Sequence, residues 1–235
     1  MAFVATLHIC WAVQSPLTQP ASRPASAPVN LVVNGDFERA ESDGKLPAGW
    51  STEHPAQVRL VDDPHGRGRV VEMTGDKKLM ASYGVDLLSG EIPVEPGKCY
   101  RCSGYTCSTG PRMKVFVRGF ATVTRRSAGE VKTYDDAVYT MRKDVEPSAQ
   151  WQPFQLDFEI RPAEVVRDQQ HTIKYVRIKL WAYWPVGTCW FDDIRFEPTG
   201  AGETPAELHN APAEPAHQEL RPPGALGQPG LHPPK

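Results

Sequence analysis

Phe154-Gln155-Leu156-Asp157-Phe158-Glu159-Ile160 decides the fold class: four apolar side chains, each parted from the next by one polar residue. A period of two sends Phe154, Leu156, Phe158 and Ile160 to one face of an extended strand and the polar residues to the other. The same rhythm runs through Val176, Ile178, Leu180 and Ala182, which alternate with Arg177, Lys179, Trp181 and Tyr183. Val115 and Val117 alternate with Phe116 and Arg118, and shorter runs at Gln57–Val61, Val70–Thr74, Tyr83–Leu87 and Cys99–Thr106 behave likewise. Turn residues separate them: Asp63-Pro64-His65-Gly66, Glu95-Pro96-Gly97 and Ser108-Thr109-Gly110-Pro111. No long run of apolar residues recurs at helical spacing; Pro162–Gln170 is expected to hold at most a short helical turn. The body is therefore expected to be all-β: a two-sheet antiparallel β-sandwich of jelly-roll type with about 9–10 strands. Strands with one polar face need one buried face each, which two packed sheets supply.

Proline marks the limits of that body. Of 23 prolines, four lie in residues 15–28 and nine from Pro198 onward. Three regions follow: a signal-like segment and Pro/Ser/Ala linker over 1–28, a β-sandwich domain over 29–197, and a Pro/Ala/Gly-rich tail over 198–235. The tail has almost no large apolar residue and is expected to be disordered, because it cannot bury enough surface to offset chain entropy. The apolar run over residues 2–13 followed by Ala25-Ser26-Ala27 reads as a secretory signal, although the usual positive charge before the run is missing. The chain is expected to be secreted or in the cell envelope. A net charge of −2 gives no basic excess for nucleic acid, and no apolar run is long enough to span a membrane.

The two ends of the body carry matching motifs. It opens Asn30-Leu31-Val32-Val33-Asn34-Gly35-Asp36-Phe37-Glu38, followed by Leu46-Pro47-Ala48-Gly49-Trp50. It closes Trp190-Phe191-Asp192-Asp193-Ile194-Arg195-Phe196-Glu197, with Val94-Glu95-Pro96-Gly97-Lys98-Cys99-Tyr100 between. Asn34-Gly35 permits a tight turn after a first strand. Phe37 and Trp50 are expected to plug one edge of the sandwich. This set resembles carbohydrate-binding modules of families four, nine and twenty-two, which are galactose-binding-like jelly rolls. The resemblance implies a structural Ca²⁺ held by Glu38 and Asp192, with Asp36 and Asp193 as further candidates; hard oxygen ligands suit that ion.

A sugar site needs exposed rings beside polar side chains on a rigid sheet. If Ile178, Leu180 and Ala182 face the core, Lys179, Trp181 and Tyr183 face out together. A second outward row is Phe116, Arg118 and Phe120; a third is Arg101, Ser103 and Tyr105. The candidate carbohydrate-binding residues are Trp181, Tyr183, Arg118, Phe116, Lys179 and Tyr105. The competing expectation is that the excursion Thr122–Gln150, with Tyr134 and Tyr139, covers these rings and makes the face a second core.

Beyond Cys10 the chain has Cys99, Cys102, Cys107 and Cys189. Alternation puts Cys102 opposite Cys99 and Cys107, which opposes a zinc cluster. One disulfide with two free thiols is expected first, two disulfides next, zinc last. No catalytic pair is evident: Asp157 and Glu159 share a strand face but lack the E-x-D-x-x-E pattern of sandwich glucanases, and no nucleophile, zinc or nucleotide motif occurs. The leading expectation is a non-catalytic module binding polysaccharide, with a separate glycoside hydrolase or an envelope protein as partner. An envelope structural or protein-interaction domain without sugar binding comes second, and a small glycoside hydrolase third.

Overall fold

The computed structural model describes residues 29–199 except 64–65, 128–129 and 167–168. The signal-like segment over 1–28 and most of the proline-rich tail lie outside the described residues. The strands are β1 (Trp50–Ser51), β2 (Val58–Asp62), β3 (Arg69–Thr74), β4 (Val85–Ser89), β5 (Ile92–Pro93), β6 (Cys99–Ser108) and β7 (Arg112–Ser127). They continue as β8 (Glu130–Val145), β9 (Gln152–Glu159), β10 (Glu164–Val166), β11 (Gln169–His171), β12 (Tyr175–Tyr183) and β13 (Thr188–Pro198). A single helix among the described residues, α1 (Lys77–Ser82), starts at Asp76, whose carboxylate accepts from the Leu79 amide at 2.8 Å.

Two antiparallel sheets form the sandwich expected from the alternation. One runs β1-β4-β12-β7-β8, with β5 also on β12; the other runs β2-β3-β13-β6-β9. Their inner faces share one core. Val115, Val117, Ile178 and Leu180 come from the first sheet; Met73, Phe158, Phe191 and Phe196 come from the second, and all are fully buried. Each such side chain contributes roughly 1.5–3 kcal/mol relative to exposure. Phe37 and Trp50 close one edge as expected, with ring centroids 5.3 Å apart. The short strands β1, β5, β10 and β11 raise the number above the nine or ten expected.

Three local expectations are corrected. The described residues of Pro162–Gln170 hold no helical turn: β10 and β11 pair there antiparallel. The excursion Thr122–Gln150 does not fold across a face. Instead β8 pairs with β7 from Met113↔Val145 to Ser127↔Glu130, so the segment extends the first sheet sideways. Among the described residues no strand precedes Asn34. The opening segment is fixed by the side chain of Asn30, which donates to the Ile194 carbonyl at 3.1 Å and accepts from the Phe196 amide at 3.0 Å. Asn34 has φ 53° and is buried, and its side chain bonds the backbone of Arg39 and Ala48. Asn tolerates that left-handed backbone better than most residues. A side chain at Gly35 would place its Cβ 1.9 Å from the Ile194 carbonyl oxygen, so only glycine lets the two chain ends meet.

The four cysteines are free, which overturns the expected disulfide. Cys189 lies opposite Ser108 in the ladder, and Cys102 opposite Phe196. Cys102 is therefore six residues, about 20 Å, along β6 from the rung of Cys189. Cys107 is one rung from Cys189, but alternation turns the two side chains to opposite faces. No pair meets the distance and direction a disulfide needs. Burial pushes the Cys102 thiol up to about 12.

Candidate carbohydrate-binding face

The outer face of the first sheet assembles five of the six predicted residues. Its two central strands, β12 and β7, set Lys179 opposite Phe116, Arg177 opposite Arg118, Trp181 opposite Lys114 and Tyr175 opposite Phe120. All these side chains are partly exposed, while Val176, Ile178, Leu180 and Ala182 between them are fully buried. Trp181 stacks on Tyr183 with centroids 4.6 Å apart and planes 15° apart. Phe116 tilts against Trp181 at 6.1 Å. Lys114 Nζ stands 5.3 Å from the Trp181 ring and 5.1 Å from that of Tyr183.

The indole is fixed as well as stacked. Trp181 Nε1 donates to the Tyr83 carbonyl at 2.8 Å. That carbonyl follows α1, where Gly84 (φ 67°) passes so close that an added Cβ would lie 2.5 Å from Trp181 Nε1. Lys179 is held by Asp86 at 2.8 Å, leaving Asp86 Oδ1 buried without a hydrogen-bond partner. Farther along, Phe120 and Tyr175 form a second stack, 5.2 Å between centroids and 9° between planes. Burial lowers the pKa of Arg118, and the charge of Arg177 adds to that against the carboxylate of Asp136.

Tyr105 does not belong to this face. β6 lies in the second sheet, so the row Arg101, Ser103, Tyr105 points away on the opposite side of the sandwich. Alternation within a strand says which residues share a face; it does not say which sheet the strand joins. Tyr105 instead lines a shallow cleft of about 440 Å³ with Ser103, Pro153, Gln155 and Arg195. Lys114, Arg177 and Tyr175 were missed on the first sheet. Arg177 and Tyr175 stand in the same alternating row as Trp181, and that signal was in the sequence. The pairing of Lys114 with Trp181 required the β7–β12 register.

Glu38 and Asp192 do reach one place, the loop between β2 and β3, but each already has a partner there. Asp192 is buried and accepts from Arg67 Nε at 2.7 Å, and the same guanidinium reaches Asp193 at 2.9 Å. Arg67 lies 4.1 Å over the Tyr105 ring and 5.1 Å from that of Trp151. Glu38 Oε1 accepts from the Arg69 amide at 3.1 Å. Asp36 is exposed. Among the described residues no three His, Cys, Asp or Glu side chains converge as a metal site. The residues as arranged do not fit a Ca²⁺ shared by Glu38 and Asp192, because Asp192 is answered by the Arg67 guanidinium and Glu38 by the Arg69 amide. Burial raises the pKa of Asp192, and the hydrogen bond from Arg67 opposes that rise.

Asp157, the nearest approach to a catalytic acid in the sequence, is neutralised by Arg101 at 2.6 Å and accepts from Gln155 at 2.6 Å. It lies on the second sheet, away from the aromatic rows.

No family model matches the chain, and no curated protein matches it. Solved structures do. A Bacteroides thetaiotaomicron protein provisionally described as sugar-binding shares 13% identity over 73% of this chain and 100% of its own, with a TM-score of 0.50. The CBM22-1 xylan-binding domain of Paenibacillus barcinonensis Xyn10C shares 14% over 75% of this chain and 99% of its own, with a TM-score of 0.46. The enzymatically active domain of bacteriophage CBA120 tailspike protein 4 shares 11% over 72% of this chain, with a TM-score of 0.49; the chain spans 21% of that domain's length. In fold, the chain is a two-sheet antiparallel β-sandwich similar to that of the Bacteroides protein.

Proposed function

We propose that the chain binds polysaccharide, without catalysis, on the outer face of the six-stranded sheet. The observation that carries this is the stacked pair Trp181–Tyr183, partly exposed, braced by Phe116 and hydrogen-bonded to the Tyr83 carbonyl. Rings held rigidly at a surface offer flat apolar area to the C–H faces of sugars at low ordering entropy. Lys114 and Lys179 stand beside them as donors for hydroxyl groups, and Arg118 lies farther along the same rows. A non-catalytic role is supported by the acids of this face: Asp86 is engaged by Lys179, and Asp144 by Lys114 and Arg142. The signal-like N-terminus fits a ligand met outside the cytoplasm, with a separate glycoside hydrolase or envelope protein as partner.

Affinity electrophoresis through gels containing soluble xylan, β-glucan, galactan or polygalacturonate tests the reading. Retardation by at least one polymer, lost in Trp181→Ala with an unchanged circular dichroism spectrum, is the expected result. Unretarded migration in every gel, or retardation that survives Trp181→Ala, contradicts it.

A further inference from the structure

Two guanidinium groups oppose each other at the middle of the aromatic face. Arg118 and Arg177 are direct cross-strand partners in the β7–β12 ladder. Like charges placed opposite each other destabilise a sheet unless something neutralises them. Here no carboxylate bonds either group. Arg177 donates through Nε to the Ser89 carbonyl at 2.8 Å and through Nη2 to Ser51 Oγ at 3.3 Å, both neutral acceptors. Arg118 makes no hydrogen bond or ion pair among the described residues, and its guanidinium stands 5.7 Å from the Phe120 ring. A guanidinium has five N–H donors and cannot shed its charge in a protein, so this pair keeps unused donors; the Asp136 and Asp86 carboxylates act on the Arg118 charge through space but bond neither guanidinium.

The surroundings reinforce the imbalance. From the Tyr183 end to this pair, the outer face presents Arg112, Lys114, Arg118, Arg142, Arg177 and Lys179 against two carboxylates, Asp86 and Asp144. This positive surplus sits on a chain whose net charge is −2. Acids gather only beyond the pair, where Asp135 and Asp136 are met by Lys174 and Arg125 and Glu91 bonds Tyr175. Aromatic stacks flank the pair on both sides: Phe120–Tyr175 at one end, Phe116, Trp181 and Tyr183 at the other. Rings for sugar faces and a planar fork for a carboxylate thus alternate along one strand face. The fork geometry of arginine matches a carboxylate bidentately.

We propose that the polysaccharide taken by this face is acidic, a uronate-bearing chain with one carboxylate seated between Arg118 and Arg177 and its sugar rings on the flanking aromatic stacks. This rests on the carbohydrate-binding reading above and adds the ligand's charge to it.

The test uses the full chain and three probes by isothermal titration calorimetry: de-esterified oligogalacturonate, the same oligomer fully methyl-esterified, and a neutral xylo-oligosaccharide. The free acid is expected to bind about 10- to 100-fold more tightly than the methyl ester, as for a charge-assisted hydrogen-bonded pair. The difference shrinks in 1 M salt. Arg118→Gln abolishes it, and Arg118→Lys restores part of it; the melting temperature of each variant verifies folding. Equal affinity for acid and ester, or binding of the neutral oligomer alone, overturns the proposal and leaves carbohydrate binding standing. Binding of none of the three overturns it and counts against carbohydrate binding. A single-stranded oligothymidylate that binds where the uronate does not overturns it in favour of a phosphodiester ligand.

Discussion

Trp181 and Tyr183, two residues apart on β12, lie ring upon ring at 4.6 Å, and Lys114 of the neighbouring strand stands over both. Residues i and i+2 share a strand face, and here the two rings have closed on each other to form one platform. Truncating either ring alters the position of the other. Trp181→Ala is expected to weaken glycan binding by about 2 kcal/mol, near 30-fold, as at other buried aromatic anchors. Tyr183→Ala alone weakens it less, because the indole keeps its bond to the Tyr83 carbonyl. The double variant is expected to lose less than the two single losses combined. Calorimetry on the three variants checks this.

Gly84 supports that platform from behind. Its φ of 67° and the 2.5 Å approach of a would-be Cβ to both Trp181 Nε1 and the Ala182 carbonyl leave no room for alanine. Gly84→Ala is expected to destabilise the fold by about 1–2 kcal/mol and to weaken glycan binding although it removes no ligand contact. Thermal melting and affinity electrophoresis on the same sample measure both.

Arg67 is expected to serve at the chain ends where the sequence led us to expect calcium. Excess chelator should leave the melting temperature unchanged. A rise on adding Ca²⁺ that disappears in Glu38→Gln restores the ion instead.

The pH dependence of Arg67→Met follows from Asp192. Burial raises its folded pKa, so the native state favours the protonated acid. Its contribution to stability is greatest below the ordinary carboxylate pKa and is lost as pH rises through the folded value. Removing Arg67 withdraws the opposing hydrogen bond and raises that value further. The melting-temperature deficit of Arg67→Met should therefore be larger near pH 7 than near pH 3, where Asp192 is protonated. An equal deficit at both pH values contradicts this account of Arg67.

Trp50→Ala opens a cavity beside Phe37 where the opening and closing segments meet. A loss of about 3–5 kcal/mol is expected from chemical denaturation, as for other buried Trp or Phe truncations.

Much of this arrangement was legible before any coordinates. Alternation assigned the core faces of β7, β9 and β12, and it placed Lys179, Trp181 and Tyr183 outward together. The assembly of strands into sheets was not legible. Tyr105 obeys the same alternation as Trp181 yet faces the opposite way, because β6 pairs with β13 and β9 rather than β7. The 16-residue strand β8 was hidden because both its faces are polar over much of its length, so it has no period to detect. The opposed pair Arg118–Arg177 was invisible for a third reason: it exists only in the register between two strands 63 residues apart at their first residues. Carboxylates such as Asp192 can be located by motif, but whether a metal or an arginine answers them depends on a loop that no motif marks.

The most direct measurement is amide and indole NMR shift mapping while an oligosaccharide that retards the protein is titrated in. The account predicts that perturbed signals cluster on outward residues of β7 and β12, with the Trp181 indole N–H, Phe116 and Arg118 among the largest. Perturbations confined to the opposite sheet around Tyr105 and Trp190, or scattered without a cluster, would contradict it.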